Sequence, residues 1–271
     1  MLNTAIIVFR EILEAALIVG VVMAASRGVP GRGRAVTLGI AGGLLGAILV
    51  ALFAGEIADA LAGAGQEVFN AAILLVAVAM LGWHNVWMRR HGREMAREMA
   101  AIGQAVRGGS RPVRALGIVV GAAILREGSE TVLFLYGIAA SDSAAGGWRD
   151  MALGGGLGLL GGILLGTALY LGLLRIPPRT LFAVTSWLIL LMAAGMASQA
   201  AAFLVAADLI PALVPQLWDS SPLLDPSGLL GRTLHALMGY DARPAGIQLV
   251  VFLVTLSVIG LSMRAAAPRQ A

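Results

Sequence analysis

The sequence predicts an all-α polytopic membrane protein with seven transmembrane helices, N-terminus outside and C-terminus inside. It further predicts an inverted 3+3 helix repeat followed by a seventh helix. Three observations carry this. The chain is 59% hydrophobic and 13% charged, where a soluble domain has about 25% charged residues. Seven stretches are long and apolar enough to cross a hydrocarbon core, which takes about 20 residues at 1.5 Å rise each. The basic residues gather in every second connector, as they do on the cytoplasmic side of membrane proteins.

The seven stretches run over about 4–25, 35–62, 66–88, 113–140, 150–174, 180–206 and 245–263. Between them lie RGVPGRGR, RRHGREMAREMAAIGQAVRGGSRP, SDSAAGGWRD, RIPPRT and a Pro/Asp/Ser-rich segment from Asp208 to Pro244, all with loop punctuation. One set of connectors holds Arg27, Arg32 and Arg34, then seven arginines from Arg89 to Arg114, then Arg175 and Arg179, and finally Arg264 and Arg269. The alternating set holds Arg149, Arg232 and Arg243 among six aspartates. The domain expectation is a single transmembrane domain over 1–271. Repeat 1 covers about 1–88, a cytoplasmic connector 89–112, repeat 2 about 113–206, an outer loop 207–244 and the seventh helix 245–263.

Within the connectors, 89–112 reads as a short cytoplasmic helix with Arg93/Arg97 and Glu94/Glu98 at i,i+4. DPSGLLGRTLHALMGY reads as a short amphipathic helix at the outer interface, with Asp225 as N-cap, Pro226 at its first position and Gly239 as its stop. The chain has no Cys, so disulfides, thiolate metal sites and cysteine nucleophiles are excluded. All the basic side chains other than His are Arg; their placement in loops fits membrane orientation rather than nucleic-acid binding. MLNTAIIVFRE lacks the basic n-region of a cleavable signal.

FREILEAALIVG in the first span sets Arg10, Glu11 and Glu14 inside an otherwise apolar helix. Each charge near a bilayer centre costs about 2.5–3.5 kcal/mol on insertion scales. The pattern recurs in the fourth span as LREGSETVLFLYG, with Arg126, Glu127 and Glu130. The second spans align at nearly the same offset, LGIAGGLLGAIL (38–49) over LGGGLGLLGGIL (153–164), and His84 of the third span then meets Gln199 of the sixth. Three-span units alternate direction through the bilayer, so the two copies are inverted, an arrangement with its site near the midplane. The glycines of spans 2 and 5, such as Gly39/Gly43 and Gly158/Gly162, form small-xxx-small pairs for close helix packing. No GxxxxGK[ST] or βαβ context accompanies them.

Glu11 and Glu14 are i,i+3, so both carboxylates leave one helix face one turn apart, and Arg10 can brace Glu14 at i,i+4. The same holds for Arg126, Glu127 and Glu130. Bringing the copies together sets four carboxylates against two guanidiniums. A multivalent cation relieves that excess, and oxygen donors favour hard cations, with Fe(III), Fe(II) and Mn(II) all chemically suitable.

The pair REILE and REGSE, in the first and fourth of seven spans, resembles the paired REXXE motifs of the oxidase-dependent iron transporter family. That family includes high-affinity iron permeases and bacterial EfeU-type permeases. The resemblance extends to WHNVWMRR, GMASQAAAFL and WDSSPLLDPSGLLGRTLHALMGYDARP, and so covers nearly the whole chain. It implies an iron permease, not an enzyme, in the bacterial cytoplasmic membrane. Glu11, Glu14, Glu127 and Glu130 would be metal ligands on the permeation path, with Arg10 and Arg126 supporting them. Iron is then the transported substrate, with no permanently bound cofactor. Fungal members carry an acidic DASE-like motif where this chain has MASQ (196–199). That departure points to a bacterial arrangement with periplasmic iron-binding or iron-oxidising partners. The partners otherwise expected are the iron ion and the lipid bilayer, with no nucleic acid.

Secondary candidates for lining the path are His84 and Gln199, paired by the repeat, then Glu56 and Asp59 near the outer turn between spans 2 and 3, and Asp142 beyond span 4. Trp83, Trp87, Trp148 and Trp218 read as interfacial anchors. Two other expectations are weighed beside iron transport. One is a permease for another divalent metal such as Mn(II) or Pb(II), or a proton-coupled transporter. The other is a membrane-embedded metallohydrolase, for which no HExxH or GxSxG motif is present.

Overall fold

The computed structural model describes residues 1–61, 66–141, 147–173, 178–226 and 228–266. Among these the chain forms eight helices and no strand: α1 Leu2–Ala25, α2 Arg32–Leu61, α3 Gln66–Arg107, α4 Arg114–Ser141, α5 Gly147–Tyr170, α6 Pro178–Ala206, α7 Leu229–Met238 and α8 Gly246–Ala265. Five segments are long and apolar enough to cross a membrane: most of α2, the Gln66–Gly92 part of α3, α5, most of α6, and α8. Helices α1 and α4, of 24 and 28 residues, are as long, but each carries an Arg and two Glu in its middle.

Several helices end where the sequence supplies a stop. At the end of α1, Ser26 Oγ donates to the Val22 carbonyl at 2.7 Å, and Gly28 follows at φ 87°. Arg32 then donates to the Met23 carbonyl at 2.8 Å, tying the start of α2 to the end of α1. The connector 89–112 departs from expectation: residues 89–107 continue α3 without a break, making one helix of 42 residues. Its Arg, Glu, Met and Ala residues are strong helix formers and no proline interrupts them, so nothing ends the helix at residue 88. The stop comes at Gly109 (φ 77°), where Ser110 N donates to the Ala105 carbonyl. Helix α7 forms as the sequence predicts and ends at left-handed Gly239 (φ 66°). Its N-cap, however, is Gly228 rather than Asp225, whose carbonyl accepts the Gly228 N–H at 3.1 Å in a preceding turn.

Helices adjacent in sequence are not the main partners. α1 packs chiefly on α5 and α2 on α4, while α1 and α2 barely touch. Glycines make both seams possible. The buried residues of α5 are Gly154, Gly158, Gly162 and Gly166, one per turn along a single face. A Cβ at Gly158 would stand 2.5 Å from the Ala5 carbonyl oxygen, and one at Gly43 2.6 Å from that of Gly121. This close approach is how helices associate where lipid removes the hydrophobic drive between them.

Helix α3 lies against both α1 and α4, whereas α6 turns mainly to α3, α8 and α7. Two apolar clusters result. One joins Ile7, Leu74, Leu81, Phe134, Ile138, Met192 and Met196, and the other Val22, Val36, Val106, Leu116 and Val120. The start of α1 thus shares a cluster with the end of α4, and the end of α1 with the start of α4. The two helices run antiparallel.

Candidate functional site

Along α1, Ile7, Arg10, Glu11, Glu14, Ile18 and Val22 are buried. Their spacing marks one inward helical stripe, so the same face that feeds the apolar clusters presents both carboxylates. Helix α4 repeats the pattern with Val120, Glu127 and Phe134 buried and Glu130 partly so. Between the two apolar clusters, the charged middles of α1 and α4 meet.

Arg10 reaches its own motif, with Nε 3.0 Å from Glu14 Oε1 and NH1 3.6 Å from Glu11 Oε1. Arg126 does likewise on α4: Nε donates to Glu127 Oε1 at 3.0 Å, NH2 pairs with the same oxygen, and Nε lies 3.8 Å from Glu130 Oε1. His84 comes from α3 to join them. Its Nε2 is 3.6 Å from Glu14 Oε2 and its Nδ1 pairs with Glu130 Oε2, so one imidazole touches a carboxylate from each motif.

Candidate ligand atoms of Glu11, Glu14 and His84 lie within 4.8 Å of one another, and so do those of Glu11, Glu127 and Glu130. The two triplets share Glu11. Glu11 is fully buried, yet neither of its carboxylate oxygens accepts a hydrogen bond, nor does either oxygen of Glu14. Glu127 Oε2 is in the same condition, while Glu130 Oε2 has the His84 ring as its partner. Buried carboxylate oxygens without donors are costly. Four carboxylates facing two guanidiniums and an imidazole leave an acidic, donor-rich space suited to a cation.

The other sequence candidates fall elsewhere. Among the described residues no hydrogen bond links Gln199 of α6 to these side chains, and its Oε1 is buried without a hydrogen-bond partner. Asp142 and the side chains of Glu56 and Asp59 lie outside the described residues. Trp87 is not simply an interfacial anchor, because the Arg126 guanidinium sits 5.2 Å over its ring. Arg126 NH2 also lies 3.6 Å from Met95 Sδ, one α3 side chain further along. Sequence reasoning missed Asn85, buried next to His84 and donating to the Ser186 carbonyl at 3.0 Å, which ties α3 to α6. The signal was present in WHNVW, two adjacent polar residues inside an apolar span.

Comparison with known proteins identifies the chain's family. The model of the iron permease FTR1 family matches residues 1–267. The ferrous iron permease EfeU of Escherichia coli O157:H7 is 32% identical over 255 residues, covering 93% of this chain and 91% of the relative. The ferrous iron permease EfeU of Shigella sonnei gives the same figures, and that of Yersinia pestis is 31% identical over 93% of this chain and 89% of its own length. No solved structure matches the chain. With a match that runs across almost every residue, including both charged helices, this chain belongs to the iron permease FTR1 family.

Proposed function

We propose that this chain carries iron across the bacterial cytoplasmic membrane, with the two REXXE motifs and His84 together forming the ion's binding site. The observation that carries the proposal is the convergence of Glu11, Glu14, Glu127, Glu130 and His84, with Glu11 Oε2 and Glu127 Oε2 buried and facing no donor. The relatives' name, ferrous iron permease, favours Fe(II) as cargo, and an oxygen-rich site with one imidazole nitrogen suits that ion.

In this reading α1 and α4 complete a set of seven spans, N-terminus outside. Their charges are tolerated because they face one another and the ion rather than lipid. The antiparallel meeting of α1 and α4, and the crossed pairing of α1 with α5 and α2 with α4, support an inverted repeat. Two apolar clusters close the site on both sides, as an occluded intermediate of alternating access requires. Hydrated iron would exchange its water for carboxylate oxygen, and Arg10 and Arg126 offset the repulsion among the carboxylates until it arrives.

The test is radiolabelled iron uptake into proteoliposomes with Fe(II) held by ascorbate and Fe(III) held by citrate in separate runs. Uptake from the Fe(II) arm that vanishes in Glu14→Gln and Glu130→Gln supports the reading; full uptake by both variants overturns it. The same donor set also fits Mn(II). Uptake that excess Mn(II) suppresses and excess Fe(II) does not would favour that second cargo.

A further inference from the structure

Where α2 crosses α4, the surface is not filled. Gly39 and Gly43 of α2 lie against Gly117 and Gly121 of α4, so the floor of the seam is backbone. Leu38 and Ile118 stand exposed beside it, at 63% and 68%. The groove between them holds about 570 Å³ and runs from Gly31 and Arg34 to Leu125, within the range of roughly 300–1,000 Å³ typical of small-molecule sites. Gly42 borders it, and a Cβ there would meet nothing within 4 Å.

One end of this apolar groove is positive. Arg34 precedes Ala35, whose carbonyl oxygen would stand 2.6 Å from a Cβ at Gly117. Arg114 lies one turn before Gly117 on α4, so both arginines stand at the same mouth and both line the groove. Neither forms an ion pair among the described residues. Two free guanidiniums at the head of an apolar trough match an anionic headgroup joined to a hydrocarbon chain, and basic pockets between membrane helices take such lipids.

The corresponding seam between α1 and α5 lacks these features. There Gly158 and Gly162 press on the α1 backbone, with Cβ positions 2.5 Å from the Ala5 carbonyl oxygen and 3.0 Å from that of Phe9. Arg149, at the start of α5, lies 5.8 Å over the Trp148 ring.

We propose that the α2–α4 groove binds an anionic phospholipid, its phosphate between Arg34 and Arg114 and an acyl chain along Leu38, Gly42, Ile118 and Leu125. The site depends on the membrane setting of the protein and not on the identity of the transported ion. It braces the seam that holds α4, and with it the second REXXE motif, in place.

The test uses the full chain, released for native mass spectrometry from nanodiscs of equal phosphatidylglycerol and phosphatidylcholine. The wild type retains phosphatidylglycerol over phosphatidylcholine by about tenfold, as two arginines near an anionic headgroup provide. Arg34→Gln with Arg114→Gln abolishes that preference. Gly42→Leu, which the open space accommodates, reduces retention of the lipid with both arginines intact, so a folding defect in the double variant cannot mimic the result. Arg149→Gln leaves the preference unchanged. Equal retention of both lipids by the wild type overturns the proposal, as does an undiminished preference in the double variant.

Discussion

The two halves of the site carry the same three charged residues at the same spacing, yet they live in unlike surroundings. Arg10, Glu11 and Glu14 are 1%, 0% and 3% exposed. On α4 the side chains of Arg126 and Glu130 keep 33% and 21% of their surface. The α1 motif is closed in by α3, α4 and α5, and among the described residues its arginine pairs with its own carboxylates, Glu11 and Glu14. The α4 motif faces the far stretch of α3, where Trp87 and Met95 receive Arg126. Sequence equivalence therefore does not bring equal environment. The α1 half is the more enclosed of the two, and the α4 half the more open.

The sharpest way to break this comparison is to remove each arginine in turn. Arg10→Leu strands two buried carboxylates, and deleting one partner of a buried pair costs about 3–5 kcal/mol. Arg126→Leu strands one buried carboxylate, Glu127, from a partly exposed position, and should cost less, about 1–3 kcal/mol. Thermal unfolding in detergent with fluorescence-detected size exclusion should show the first variant barely accumulating and the second folded. Equal losses would erase the distinction between the enclosed half and the open one.

Next in size is the donor set. Glu14→Gln and Glu130→Gln should each lower iron uptake by about 100-fold or more, because each removes a charge from the proposed ion site. His84→Ala should lower it by about 10–100-fold. Gln199→Ala, its counterpart in the repeat, should stay within about twofold. Proteoliposome uptake at matched protein incorporation distinguishes these outcomes, and equal effects at His84 and Gln199 would restore a symmetric site.

Smaller effects come from the seams. Gly158→Leu collides with α1 backbone and should cost about 1–3 kcal/mol, whereas Gly156→Leu on the same helix meets nothing within 4 Å and should be neutral or stabilising. Comparative melting of the two variants measures the difference.

Least of all is the exposed pair Asp219–Arg243, at 3.0 Å. The Ser221 side chain and backbone N–H, with Arg243 beyond them, hold the Asp219 carboxylate below its usual range. Its contribution is present above the ordinary aspartate pKa of about 4 and is lost as pH falls through the lower folded value. Asp219→Asn should leave uptake at neutral pH unchanged and slightly flatten the acid limb of a melting-temperature profile.

Much of this organisation was legible in the residues themselves. Charges are so expensive in lipid that Arg-Glu-x-x-Glu, twice in apolar helices, could only mean partners. Glycines every fourth residue in α5 announced a backbone-to-backbone seam. What the pattern could not convey was which third helix would lie closer to the charges. His84 and Gln199 occupy equivalent places in the repeat, and hydropathy treats them nearly alike. Their difference comes from tertiary packing, since α3 wedges between α1 and α4 while α6 packs on α3 and α8 and touches α1 and α4 little. The unbroken α3 was hidden for a related reason. A change from apolar to charged residues at Arg89 reads as the end of a span, but polarity sets where a helix leaves the membrane, not where it stops.

That last point has a mechanical side. At 1.5 Å per residue, α3 is about 60 Å long, twice the thickness of a hydrocarbon core of about 30 Å. His84 lies near its middle, and Arg107 is about 35 Å further along. Pivoting about His84 by 5° would carry the Arg107 end through about 3 Å, past Ala25 at the end of α1, where Gly103 now nestles. A small rotation near His84 would thereby become a displacement of a few ångströms where α3 meets the end of α1.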